Sequence, residues 1–243
     1  MSKYPRNQQF LRRALLATNE QQPSHRMFTF LNEISKHVDF NEIHVCYDLG
    51  SRDGTQAIEL ARIFERGHVY AFEPSPFNYQ ALTMTIDESP WGYRVTPLEV
   101  LASITDGTSA FFHSWGNPGA SSGLDFKEVP FPQYIAPDKE KIRKLSVRSA
   151  RLDTMIREEE IKAPDLLWVD VQGMEYVAFN GLGDHLKNVK AIHTEVGIQE
   201  YYHGHTLKPE IMILGHGAGF KLLSTNQEWD KEQELILVKQ DAD

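Results

Sequence analysis

Tyr47-Asp48-Leu49-Gly50-Ser51-Arg52-Asp53-Gly54-Thr55 closes an apolar run that begins at Ile43 and opens a helical pattern. The run reads as a buried strand. Glycines at 50 and 54 permit the tight backbone that a strand-to-helix turn needs, and they let it approach a ligand closely. The amino end of the helix then offers unpaired N–H groups and a positive dipole end. A dinucleotide fingerprint would be Gly-x-Gly-x-x-Gly, but Arg52 stands where the glycine that admits a pyrophosphate would be. Asp48 and Asp53 flank the turn. Two carboxylates there repel a pyrophosphate and suit a ligand with a positive charge.

Downstream, Val69-Tyr70-Ala71-Phe72-Glu73-Pro74 reads as a second strand. It places Glu73 about 20 residues past the turn, where an acid can accept hydrogen bonds from both ribose hydroxyls. A ribose, no phosphate and a cationic group together describe S-adenosylmethionine. Strand patterns recur at 44–49, 68–72, within 93–104, at 165–171 and at 189–196, with helical patterns at 54–66, 77–89 and 174–180. That alternation predicts an α/β fold, a doubly wound and mainly parallel sheet. Runs such as Leu166-Leu167-Trp168-Val169 fit burial on both faces. Two further runs, 219–223 and 234–238, have no helical period between them and predict an antiparallel pair, for seven strands in all.

Helical patterns at 7–18 and 24–37 suggest an N-terminal cap over residues 1–40, ahead of a main domain at 41–243. Residues 113–145, rich in Gly, Pro and aromatics, read as a long substrate-facing loop inserted in that domain. The chain has 243 residues, 41% of them hydrophobic, enough for one sizeable core. Its net charge of -9 argues against a nucleic-acid partner, which draws affinity from clustered cations. No apolar run approaches the roughly 20 residues of a membrane span, and the amino end has no secretory h-region, so the expectation is a cytoplasmic protein without a membrane partner. The single cysteine, Cys46, reads as a small core residue and allows no intrachain disulfide.

A second constellation follows at Trp168-Val169-Asp170-Val171-Gln172-Gly173-Met174-Glu175, and a third at His193-Thr194-Glu195-Val196-Gly197. Both put carboxylates at the carboxyl ends of parallel strands, where open α/β sheets bind ligands. With these three motifs in this order, the chain resembles the FkbM family of class I S-adenosylmethionine-dependent methyltransferases, whose fold is Rossmann-like. The resemblance rests on VCYDLGSRDGTQAIELARIF (45–64), VYAFEPSPFNYQAL (69–82), and RLDTMI (151–156) followed by DLLWVDVQGMEYVAFNGL (165–182). It implies that Asp48, Gly50 and Gly54, with Ser51, Arg52 and Asp53 between them, shape the methionine end of the cofactor site. It places Glu73 on the ribose with Pro74 and Ser75 beside it, Leu101, Ala102 and Ser103 near the adenine, and Asp170 and Gln172 at the reacting end. Ser121 and Ser122 resemble a serine pair that touches substrate. Gln172 departs from the family, which usually has Glu there.

The resemblance implies methylation of a hydroxyl on a small molecule or sugar. An alcohol must lose its proton, and a carboxylate of ordinary pKa, about 3.9, is a weak base for that task. Asp170 either orients the acceptor and cofactor or caps the next helix. His193 and Glu195 share a strand face, as a base with its orienter or as a satisfied core pair. His113 is a further candidate base. His203 opens an H-x-H with His205, read as solvated loop histidines ahead of a metal pair. A divalent metal between Asp170 and Glu195 is chemically compatible and not favoured. Two alternatives share the topology, an NAD-type oxidoreductase and a non-catalytic S-adenosylmethionine-binding scaffold. A homodimer is compatible with the N-terminal cap.

Overall fold

A computed structural model of the protein describes residues 4–7, 9, 11, 23–129, 139–225 and 232–240. The expected helix over 7–18 lies outside these residues except at Asn7, Gln9 and Leu11. Helix α1 (His25–Ile34) is capped by Ser24, whose side chain accepts from the Met27 N–H, and it buries Met27, Phe30, Leu31 and Ile34. That i, i+3, i+4, i+7 spacing makes one apolar face. Each such side chain contributes about 1.5–3 kcal/mol when taken from water.

Then come β1 (Val45–Leu49), α2 (Thr55–Ile63), β2 (His68–Phe72), α3 (Pro76–Glu88) and β3 (Val95–Leu98). A short β4 (Leu101–Ala102), β5 (Gly107–Ser114) and β6 (Ile142–Ala150) precede α4 (Leu152–Arg157) and β7 (Leu166–Val169). The chain ends with α5 (Glu175–Leu182), β8 (Ala191–Gly197), α6 (Lys208–Gly217), β9 (Phe220–Thr225) and β10 (Glu232–Lys239).

The main sheet has seven strands in the order β3-β2-β1-β7-β8-β10-β9. β1 pairs in parallel with both β2 and β7, while β10 runs antiparallel to β8 and β9. This is the doubly wound, mainly parallel fold. Its two faces are separately packed: Val45, Tyr47 and Leu49 of β1 join one core and Cys46 the other. α4, α5 and α6 cover the first face, α1, α2 and α3 the second. The chain leaves β1 toward β2 and β3 on one side and returns to β7 and β8 on the other. The crevice at the carboxyl ends of β1 and β7 is therefore the switch point where such sheets bind ligands. Among the described residues, no helix is long and apolar enough to cross a membrane.

The segment read as one long loop, 113–145, is flanked by two strands that reach into its ends. β5 and β6 form an antiparallel pair from Gly107↔Ser149 to Ser114↔Ile142, extended by β4 into a second, three-stranded sheet. β6 alternates exposed Arg148 with buried Val147 and Ser149, the signature of a strand wetted on one face. Its sequence therefore contains no continuous apolar run. Past β5 the chain doubles back, and Phe112 and Ser122 exchange backbone hydrogen bonds of 2.7 and 3.1 Å.

Candidate functional site

At the switch point lies a cleft open to solvent and lined by Gly50, Arg52, Glu73, Leu101, Asp170 and Gln172 among others. Its floor is the turn after β1. The amides of Gly50 and Ser51 both donate to the Phe72 carbonyl, at 3.0 and 2.9 Å, which ties this turn to the end of β2. Gly50 has φ +86°, and a β-carbon there would lie 1.9 Å from the Asp170 carbonyl oxygen. Gly54 caps α2 in the left-handed region at φ +83°. Both glycines are thus demanded by geometry.

The acids that flank the turn do not form the cleft wall. Asp48 is buried beneath it, bonded to the Ser51 hydroxyl, and desolvation pushes its pKa up to about 7. Asp53 turns outward and pairs with Arg52 at 2.9 Å. Asp48, Ser51, Asp53 and Gly54 shape the loop, while Gly50 and Arg52 line the cleft. The charge that faces the cleft comes from other strands.

Glu73 supplies it at one end. Its carboxylate accepts from the Arg52 N–H and the Ser75 N–H, both at 2.9 Å. Desolvation nonetheless raises its pKa to about 7, against the lowering effect of those two bonds. Pro74, Leu101 and Ala102 line the cleft with it, and Ser75 and Ser103 are buried and outside the lining.

The opposite end is a polar network. Gln172 holds a positive φ of 50°. Its Nε2 donates to Asp170 Oδ1 at 2.8 Å and reaches Glu195 Oε1 at 3.4 Å, while its Oε1 accepts from the Tyr202 hydroxyl at 3.0 Å. The turn that carries it is held by Glu175, whose Oε1 accepts from the amides of Val171 and Gly173 at 3.3 and 3.2 Å. Burial pushes the Glu175 carboxyl up to about 8. From α1, Arg26 reaches Glu195 Oε2 at 2.8 Å, Asp170 Oδ2 at 3.6 Å, and Glu234. Burial opposes the charge of Arg26, yet Asp170, Glu195 and Glu234 together raise its pKa. Glu195 and Glu232 are joined by a side-chain hydrogen bond, and burial lifts Glu195 well above the usual carboxylate range.

The candidate bases fall in different places. Asp170 lines the cleft, and Glu195 adjoins it through Gln172 and Arg26. His193 is fully buried, its ring stacked on Trp168 at 3.7 Å and 8°, and it does not line the cleft. Its neighbours are core rings because β8 turns that face toward α1, with Phe30 edge-on at 5.8 Å. His113 is buried behind the wall, with Nδ1 2.9 Å from the Ser75 hydroxyl. His203 is exposed on a turn, while His205 is buried and accepts from the Tyr201 N–H at 3.1 Å. Ser121 lines the cleft, and Ser122 instead donates to the Gln172 carbonyl at 2.8 Å. Among the described residues, no group of three or more His, Cys, Asp or Glu is arranged to hold a metal ion.

Sequence reasoning missed Arg26, Glu232 and Glu234. The signal for the glutamates was the reversal of the last strand. An antiparallel β10 begins where the parallel strands end, so its first residues reach the site, with Glu234 opposite Glu195.

The donor set fits S-adenosylmethionine. Glu73 presents a buried carboxylate of the kind a diol needs as acceptor, Val100, Leu101, Ala102 and Phe111 are apolar walls suited to a base, and Gly50 leaves a cradle that a β-carbon would fill. A pyrophosphate fits poorly. Among the described residues, the two cations in the lining, Arg26 and Arg52, are both engaged by the protein's own carboxylates.

Residues 48–222 match the profile of the Methyltransferase FkbM domain. A 2-O-methyltransferase, NoeI, of Sinorhizobium fredii is 28% identical over 163 residues, covering 66% of this chain and 66% of that protein. A hexuronic acid methyltransferase, AglP, of Haloferax volcanii is 24% identical over 155 residues, covering 64% of this chain and 56% of that protein. The alignments thus span less than two thirds of the length of either relative. A solved structure from Streptococcus agalactiae, described as a protein in the NADB-Rossmann superfamily, superposes with a TM-score of 0.50 at 12% identity, covering 91% of this chain and 71% of that one. At that identity the likeness concerns the fold alone.

Proposed function

The chain belongs to the FkbM family of S-adenosylmethionine-dependent methyltransferases, and from that premise we propose that it methylates a hydroxyl group of a small molecule or sugar. The observation that carries this reading is one cleft with two chemically distinct ends. Glu73 offers a diol acceptor at one, and Asp170 stands in a hydrogen-bonded carboxylate–amide–guanidinium network at the other. The relative named for 2-O-methylation supports a hydroxyl acceptor.

When bound, S-adenosylmethionine supplies an electrophilic methyl carbon on a sulfonium. In this reading the carboxylate of Glu73 holds the ribose, Gly50 gives close backbone approach, and Leu101 and Ala102 pack against the adenine. Asp170 accepts the proton of the acceptor hydroxyl. Gln172 and Arg26 fix its two oxygens by donating to or pairing with them. Positioning of the acceptor by such a network contributes several kcal/mol. His193 is assigned to packing, and Glu195 to holding Arg26 and Gln172.

Calorimetry with S-adenosylhomocysteine tests the cofactor half, and mass spectrometry of the product tests the transfer. The expected results are binding that Glu73→Ala weakens at least about tenfold, and a methyl ether product. Asp170→Asn should cut kcat by about 100-fold or more, the range of a general base, with cofactor binding kept. Binding of NAD in place of S-adenosylhomocysteine, or a methylated nitrogen or carbon, refutes the proposal.

A further inference from the structure

The acceptor end of the cleft draws on residues outside the span shared with the family, 48–222. Arg26 comes from α1, and Glu232 and Glu234 come from β10. An arginine in a pocket that takes sugar-like acceptors would ordinarily be read as a receptor for an acceptor's carboxylate. Here the guanidinium is already engaged on three sides. Nη2 donates to Glu195 at 2.8 Å, Nε pairs with Glu234, and Nη1 lies 3.6 Å from Asp170.

The charges around it do not cancel. Four carboxyl groups converge, from Asp170, Glu195, Glu232 and Glu234, against the one guanidinium. Even with a proton shared across the bonded Glu195–Glu232 pair, the carboxyl groups outnumber the guanidinium. Among the described residues, neighbours from the other elements add no positive charge. His193 sits 3.6 Å from Glu234, but burial lowers its pKa. Gln172 is neutral, and burial keeps the Tyr202 phenol protonated. The second cation in the lining, Arg52, is ion-paired with Asp53. An incoming anion therefore meets net repulsion from acids that stand behind the lining, whereas a hydroxyl group meets the Asp170 carboxylate and the Gln172 amide, which line the cleft.

Resting on the methyltransferase reading of this cleft, we propose that its acceptor end selects a neutral, hydroxyl-bearing ring and rejects one that carries a carboxylate or phosphate. Arg26 acts there as counter-ion to the protein's own acids. The selectivity is built by repulsion as much as by attraction.

The test uses the full chain, S-adenosylmethionine and a panel of matched acceptors: methyl hexosides against the corresponding hexuronides, and phenols with and without a carboxylate. Binding of S-adenosylhomocysteine is measured first; its failure refutes the methyltransferase reading itself. The neutral member of each productive pair should have kcat/KM about tenfold or more above the anionic one. Added salt should narrow that ratio by screening. Glu234→Gln should narrow it about threefold or more by releasing part of Arg26, and Glu232→Gln serves if the first variant does not fold. The inference is overturned by an anionic member turned over as well as its neutral partner. It is also overturned if no panel member reacts while S-adenosylhomocysteine binds, or if the ratio is unchanged by salt and by both folded variants.

Discussion

A β-carbon added to Gly50 would lie 1.9 Å from the carbonyl oxygen of Asp170. The turn that follows β1 and the strand end that carries the proposed base are thus in backbone contact. The Asp170 N–H also donates to the Leu49 carbonyl at 2.9 Å. The two halves of the cleft cannot shift independently.

Gly50→Ala therefore combines a backbone clash with a φ of +86° that alanine disfavours. It should lower stability by about 2 kcal/mol or more, and weaken S-adenosylhomocysteine at least about tenfold. Thermal melts and calorimetry read both. A variant with wild-type melting and binding would show that the contact is readily relieved.

Cofactor affinity should depend on pH through Glu73. Its pKa stands at about 7, and only the ionised carboxylate accepts from two hydroxyls without surrendering an oxygen to its own proton. S-adenosylhomocysteine should bind more tightly as pH rises from 6 to 8. Glu73→Gln should bind more weakly and lose that slope. An unchanged slope in the variant would assign the titration elsewhere, with buried Asp48 the next group to test.

Restoring the family's usual residue should harm this protein. Gln172→Glu replaces the amide that donates to Asp170 at 2.8 Å and faces Glu195 at 3.4 Å with a third carboxyl. Like charges at that range cost stability unless one takes a proton. The melting temperature should drop by several degrees at pH 8 and by less at pH 5.5, with activity reduced at both. Equal melting at the two pH values would argue that the network rearranges freely.

Glu175 contributes a stability term of defined sign. Its folded pKa, about 8, exceeds the unfolded value of 4.5, so the folded state holds the proton more tightly. That contribution is complete below pH 4.5 and is lost as pH rises through 8. Glu175→Gln keeps an oxygen for the amides of Val171 and Gly173 and removes the titration. Its melting temperature should fall less than that of the wild type between pH 6 and pH 8.5. Parallel curves would refute the assignment.

His193 separates packing from catalysis. Its ring is stacked on Trp168 at 3.7 Å. His193→Gln should lower the melting temperature while leaving kcat within about threefold, because general bases contribute about 100-fold or more. A loss of kcat on that larger scale in a folded variant would place the imidazole in the reaction.

Much of the scaffold was legible because its signals are local. The sequence 45–49 is apolar but for Asp48 and runs into glycines at 50 and 54, so it reads as a strand and turn whatever surrounds it. Glu73 follows a strand end at a separation set by one βα unit, and Asp170 follows another. β5 and β6 were not legible as strands because a half-wetted hairpin alternates polar with apolar residues, and a search for continuous runs passes over it. Among the candidate bases, the two-residue period placed His193 and Glu195 on one face of β8 but could not say what each meets.

By itself, then, the sequence determined a doubly wound sheet with acids at its carboxyl edge, since strand periodicity and glycine turns are properties of neighbouring residues. Tertiary structure decided which acids face the cleft. It turned Asp48 beneath its own loop, buried His193 against Trp168, and brought Arg26, Glu232 and Glu234 from the two ends of the chain onto Asp170 and Glu195. Those arrangements depend on the docking of α1 and the reversal of β10. Long-range packing sets both, and no local pattern encodes the distance between residue 26 and residue 234.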